Sequence, residues 1–311
     1  GAAVPAIRDL YTADAATLGA WPWLIGLSML AVLTLPRQFQ VTVVENVNEQ
    51  HVRTASWLFP LYLLAINLFV FPIAVAGHLT FGSAAGADTF VVALPLAHGH
   101  DLLAVLAFLG GVSAATGMVV VAATALSTMI SNDLVMPVLL RLSALRLAER
   151  RRLAGFILGI RRTSIVVVLL LAYAYVRTVG DAYTLVSIGL IAFAAVAQFA
   201  PALLGGLYWK RATRTGALVG LWGGFALWAY TLPLASLAET GWLPRALVTD
   251  GPLGLALLKP HALLGLADLA PIPHGVFWSL LVNVTLYGGV SLFTTPSLRE
   301  QSQATAFVDV F

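Results

Sequence analysis

The chain has 311 residues, of which 59% are hydrophobic and only 10% are charged. Soluble domains are roughly 45–50% apolar and about 25% charged, so this composition excludes a water-soluble globular domain and predicts a membrane protein. The absence of cysteine excludes disulfides, thiolate catalysis and cysteine-held metals, and a net charge of +3 spread over loops without an aromatic-basic stripe argues against a nucleic-acid partner.

Residues 1–17 lack a basic stretch followed by an apolar core, so they read as an outer-side lead-in rather than a signal peptide. A spanning helix needs about 20 mostly apolar residues to cross roughly 30 Å of hydrocarbon. Candidates of that kind fall at about 18–35, 55–77, 102–130, 161–178, 183–208, 215–236 and 274–295. The third is long enough to tilt or to break near Gly110–Gly111. Between the sixth and seventh lies a long loop, 237–273, in which a re-entrant or a surface helix fits the pattern equally. The stretch 296–311 then begins a C-terminal extension.

The cations test this segmentation. Arg37, Arg53, Arg141, Arg146, Arg150, Arg151, Arg152, Arg161, Arg162, Lys210, Arg211, Arg214 and Arg299 fall on one side, and Arg8, Arg177, Arg245 and Lys259 on the other. Positive charge collects on cytoplasmic loops. The N-terminus is therefore expected outside and the C-terminus in the cytoplasm. The mixed Leu/Arg stretch 131–152 reads as a basic amphipathic helix on the cytoplasmic leaflet.

Residues 205–220, GGLYWKRATRTGALVG, concentrate three of these cations. Tyr208 and Trp209 suit the headgroup level, and Lys210, Arg211 and Arg214 form the tip of a tight helical hairpin. Thr213 or Thr215 can cap the next helix. Gly216, Gly220 and Gly224 recur every four residues, a face that lets a neighbouring backbone come close.

The same stretch resembles a signature of the sodium:solute symporter family, carried here by Gly206, Leu207, Arg211, Gly216, Ala217 and Gly220. LPRQFQVTVVENVNEQHVRTASWLFPLYLL (35–64) looks like the cytoplasmic link between two later helices of that family, and SAATGMVVVAATALSTMISNDL (113–134) like the helix that ends in an acidic-Leu pair. The wording is closest to the symporter-like membrane half of hybrid sensor histidine kinases, notably AQFAPALLGGLYWKR and REQSQATAFVDVF. The resemblance implies an all-α fold, the C-terminal half of a LeuT-type bundle of two inverted repeats. It implies a first repeat upstream of residue 1, a kinase after Phe311 and a bacterial inner membrane. It also implies a small polar organic solute, such as an amino acid, as ligand. A stand-alone secondary transporter is the alternative.

Several residues then become candidates, each with a plainer reading. The first span corresponds to a broken helix of the family, with the discontinuity at Gly26 and Ser28 beside Trp21-Pro22-Trp23; an ordinary span with interface aromatics is the other reading. Two adjacent hydroxyl residues of the family's third of these helices bind sodium, yet the matching positions here are Gly117 and Met118, and Ser113 and Thr116 are out of register. Sodium prefers oxygen ligands, so solute binding is expected to be independent of sodium, and helix packing is the alternative role of these small residues. No cofactor and no metal is expected. Gln198, three residues before Pro201, is either a substrate contact at a bend or an interhelical hydrogen bond. Asn67 and Asn283 read as interhelical polar groups. His78, His98, His100, His261 and His274 read as outer-loop or edge residues, and His98-Gly-His100 is a weak metal pattern. No phosphate loop, serine elbow or intramembrane carboxylate pair is present, so no catalytic site is expected.

Overall fold

The computed structural model describes residues 15–82, 86–141, 153–179 and 184–308. Every regular element among them is helical. The contacts divide the chain into two compact units, one built on Pro36–Ala174, the other on Asp14–Leu35 with Tyr175–Phe311. The basic stretch 142–152 lies outside the described residues, so the expected amphipathic helix is represented only by its first turns.

The first unit begins with a short helix α2 (Pro36–Phe39) and a π-helical turn at Gln40–Val44. Helix α3 (Glu49–Phe81) runs 33 residues, well beyond the apolar stretch that predicted it. Its start is fixed by Asn48, whose side chain accepts the Gln50 N–H at 3.0 Å. Its end is fixed by Gly82, at φ 60°, a conformation that favours glycine. Helix α4 (Phe90–Ala97) and helix α5 (Asp101–Met129) follow. Contrary to expectation, α5 passes through Gly110–Gly111 without a break. Its irregularity comes later, as a π-helical turn at Ile130–Val135 that leads into α6 (Met136–Arg141). Pro137 has no N–H for the Asp133 carbonyl, so the hydrogen-bond register shifts there. Apolar side chains in this unit point outward: Trp57 is 80% exposed and Phe69 69%. In water that would be untenable, whereas hydrocarbon welcomes it.

Helix α7 (Leu153–Val179) leads into the second unit, which also takes in α1 (Ala15–Thr34). Helix α8 (Leu185–Val196) is capped by Thr184, runs into a 3-10 turn at Ala197–Phe199, and resumes as α9 (Ala200–Tyr208). Helix α10 (Arg214–Thr231) kinks at Leu232 into α11 (Pro233–Glu239). The loop that follows holds a single helical turn, α12 (Ala246–Thr249), and 3-10 turns at Pro252–Gly254, Ala256–Leu258 and Leu263–Gly265. Neither the re-entrant nor the surface helix weighed for Leu253–Leu258 forms. Helix α13 (Pro271–Phe293) and helix α14 (Leu298–Val308) complete the chain. The core joins Leu27 of α1, Ile191 and Ala194 of α8, Ala197, Leu232 and Val276.

Among the described residues, six helices are long and apolar enough to cross a membrane, and Leu18–Thr34 with Pro36–Val44 adds a seventh if that pair is one span. The protein is an all-α polytopic membrane protein.

Candidate functional site

The most closely packed place in the second unit is the antiparallel pair α10–α13. Gly216, Gly220 and Gly224 are all buried, as their four-residue spacing predicts. A Cβ on Gly220 would lie 2.7 Å from the Asn283 carbonyl oxygen, and one on Gly216 2.8 Å from that of Tyr287. Backbone, not a flexible side-chain end, occupies the space, so no larger residue fits without moving a helix. The facing ladder on α13 is Ser279, Asn283, Tyr287 and Ser291, all buried and also four residues apart. At the other end Gly275 fits against Leu232 of the kink.

The signature hairpin is tied to this pair. Thr213 is the N-cap of α10, and its hydroxyl accepts the Gly216 N–H at 3.1 Å. Its own N–H and hydroxyl each donate to Ser291 Oγ at 3.3 Å, and its hydroxyl meets that of Thr294 at 2.9 Å. Trp209 stands edge-on to Tyr287 with ring centres 5.7 Å apart. Arg211 is exposed. Of the two hairpin glycines, a Cβ on Gly206 would meet nothing within 4 Å, whereas one on its neighbour Gly205 would collide with Tyr287. The close approach therefore rests on Gly205, which the signature does not include.

Helix α14 joins the same junction through one carboxylate. Glu300 Oε2 accepts the Ser297 N–H at 2.6 Å while Ser297 Oγ accepts the Glu300 N–H at 3.3 Å, a reciprocal capping box. The other oxygen, Oε1, accepts the Arg214 N–H at 2.7 Å, the first turn of α10. These hydrogen bonds, with the Arg214 charge nearby, lower the Glu300 pKa to about 2. The pattern Ser-x-x-Glu at 297–300 was there to be read as a helix start, but the sequence gives no sign of its second partner.

Mid-bundle, the 3-10 turn between α8 and α9 presents Gln198, which is fully buried. Its amide donates to Ser279 Oγ at 2.9 Å and to the Ala194 carbonyl at 3.2 Å. The Asn283 amide donates to both the Gln198 carbonyl, at 2.8 Å, and its side-chain oxygen, at 3.1 Å. Of the two readings of Gln198, the interhelical hydrogen bond is the one formed. Pro201 begins α9 at the bend, and the carbonyl its missing N–H leaves, that of Ala197, accepts the Ala200 N–H instead. Asn67, by contrast, bonds within its own helix, to the Leu63 carbonyl at 2.8 Å.

The other expected site residues are not gathered here. Helix α1 is continuous through Gly26 and Ser28, and Ser28 donates to the Leu24 carbonyl at 2.8 Å. Its interruption falls at Leu35, before Pro36, because proline disfavours a helical residue ahead of it. Leu27 and Ala31 turn into the core while Ser28 is exposed. In the first unit Ser113, Thr116 and Gly117 are exposed, and the Thr116 hydroxyl donates to the Val112 carbonyl at 2.7 Å. His98 and His100 are exposed too, and among the described residues no three His, Asp or Glu are placed to hold a metal.

Two of the histidines expected in solvent are instead packed. His274 is fully buried, and its Nε2 accepts the Leu263 N–H at 3.1 Å, which anchors the long loop. His261, with a quarter of its side chain exposed, lies 3.7 Å from Glu239 at the end of α11. Burial lowers the His261 pKa, and the Glu239 carboxylate opposes that shift.

The family model of the sodium:solute symporter family matches residues 3–224. No curated protein and no solved structure matches the chain. The match takes in Gln198, the hairpin and the three glycines of α10, and leaves α13 and α14 beyond it.

Proposed function

The chain belongs to the sodium:solute symporter family, and on that premise we propose that it is the second half of a LeuT-type membrane domain whose solute occupancy is read by a cytoplasmic sensor kinase. The solute is a small polar organic molecule such as an amino acid. Its site is completed by an upstream repeat that covers the exposed Gly26–Ser28 face of α1, opposite the face that Leu27 and Ala31 bury. In transporter folds of this kind the site lies near the midplane and one bundle rocks against the other. The C-terminus is on the cytoplasmic side in this reading, in a bacterial inner membrane.

One observation carries the reading. Glu300 fastens α14 to the first turn of α10 and so to the signature hairpin. A hairpin displaced by rocking would have to move or release α14, and with it whatever follows. A ligand shifts such an equilibrium only by its unequal affinity for the two states.

The test starts with the coding sequence beyond Phe311 and continues with the purified full-length protein. A phospho-accepting histidine and a nucleotide-binding module, with autophosphorylation that responds to an amino acid from a panel, support the reading. A stop codon soon after Phe311 together with solute uptake into vesicles establishes the stand-alone transporter instead. Because Gly117 and Met118 offer no side-chain oxygen, binding is expected to persist when potassium replaces sodium at constant ionic strength. A steep dependence on sodium would overturn that part.

A further inference from the structure

A separate chamber of about 310 Å³ lies in the second unit, between α1, α8, α11 and the segment that opens α13. That is the lower end of the size range of small-molecule sites. Leu24, Leu190 and Leu232 contribute to its apolar wall, and Glu239 and His261 are its ionisable groups. It is distinct from the Gln198–Asn283 cluster and from the exposed face of α1 at Ser28.

The geometry of the two ionisable groups selects a ligand. His261 Nδ1 and Glu239 Oε1 are 3.7 Å apart, too far for a direct hydrogen bond. A nitrogen placed between them reaches both at ordinary hydrogen-bond length, about 2.8 Å. With its proton on Nε2, a neutral imidazole presents a lone pair at Nδ1, and the carboxylate presents another acceptor. Two acceptors and one net negative charge at the edge of an apolar chamber call for a cation with at least two N–H donors and an apolar body. Burial, which lowers the His261 pKa, keeps the imidazole in its acceptor form.

We propose that this chamber is an accessory binding site for a primary alkylammonium ion, its head between Glu239 and His261 and its alkyl body against Leu24, Leu190 and Leu232. The occupant is either a soluble amine or the aminoethyl headgroup of a lipid, which offers the same ammonium.

The experiment titrates the full-length protein in maltoside micelles with n-butylammonium, tetramethylammonium, butyrate and butanol. Saturable binding of n-butylammonium, at least tenfold tighter than that of the other three, is expected. Tetramethylammonium carries the charge without N–H donors, so equal binding of that ion overturns the proposal, as does equal binding of butanol. Glu239→Gln should weaken n-butylammonium at least tenfold. Leu24→Trp fills the chamber with the carboxylate left in place and should abolish binding. If one variant loses its thermal transition, the other carries the test, and unchanged affinity in a folded variant of either kind overturns the site. Competition by added phosphatidylethanolamine identifies the lipid source, and its absence, with n-butylammonium bound, identifies a soluble amine. A protein that responds to its solute yet ignores n-butylammonium overturns this inference alone.

Discussion

Asn283 holds Gln198 twice, through the backbone carbonyl at 2.8 Å and through the side-chain oxygen at 3.1 Å. A residue of α13 thus closes the irregular turn that separates α8 from α9. In hydrocarbon no water is available to satisfy a turn of this kind, so the bend between α8 and α9 depends on a polar side chain supplied by another helix.

That dependence can be measured. Gln198→Ala, Asn283→Ala and the double variant form a cycle whose coupling energy should fall at about 0.6–2 kcal/mol, the range of interhelical hydrogen bonds in membranes. Apparent melting of the solute-free protein is the readout. A coupling of zero, with solute affinity lost in Gln198→Ala alone, would return Gln198 to the role of a substrate contact.

The glycines of the hairpin and of α10 should separate into two kinds. Gly220→Ala places a methyl group against the Asn283 carbonyl, which is backbone and cannot rotate away. Overpacking of this kind costs about 1–3 kcal/mol. Gly206→Ala meets nothing within 4 Å and should leave the melting temperature unchanged. Equal losses in both variants would contradict the packing described for α10 and α13.

The contrast between these glycines also shows what could be read in the sequence. The small face of α10 was visible because its period of four is a local property, and so was the cap at Thr213. The partner was not visible, since Ser279, Asn283, Tyr287 and Ser291 each have a plausible role on their own helix and only tertiary packing aligns them with α10. Gly205 was overlooked in favour of Gly206 for the same reason. The expected breaks at Gly26–Ser28 and Gly110–Gly111 failed because glycine merely permits a break, whereas proline enforces one. The real irregularities stand beside Pro36 and Pro137. His274 and His261 were assigned to solvent because a loop rich in Gly, Pro and Leu gives no sign of folding back over the helix ends.

His261 makes stability depend on pH. Its folded pKa lies below the ordinary value of 6.5 because it is buried, with Glu239 acting in the opposite direction. The stabilising contribution is therefore complete above about 6.5 and declines as pH falls through the lowered folded value. The melting temperature of the protein should drop between pH 7 and pH 5, and His261→Gln should flatten part of that drop. Glu239 faces the imidazole directly, and its removal should steepen the same drop. Parallel pH profiles in the parent and His261→Gln would exclude the effect.

Glu300 behaves in the opposite sense to a physiological switch. Its folded pKa is about 2 against an ordinary 4.5, chiefly through the Ser297 hydrogen bond and then the N–H groups of Arg214 and Ser297. Its contribution is present above about 4.5 and lost only as pH falls through about 2. Helix α14 should therefore stay docked on α10 throughout the range in which the protein works, and release must come from movement of the hairpin, not from protonation. Glu300→Gln keeps the size of the side chain but removes the charge that two helix starts share. Amide exchange in α14 and at Arg214 should then rise about fivefold, the scale of a lost helix cap, while Arg299→Gln, one residue away, leaves it unchanged. Exchange that rises in α14 alone would mean that Glu300 serves its own helix and that the bond to Arg214 holds nothing; a rise at both places makes this carboxylate the hinge pin between the signature hairpin and the C-terminal helix.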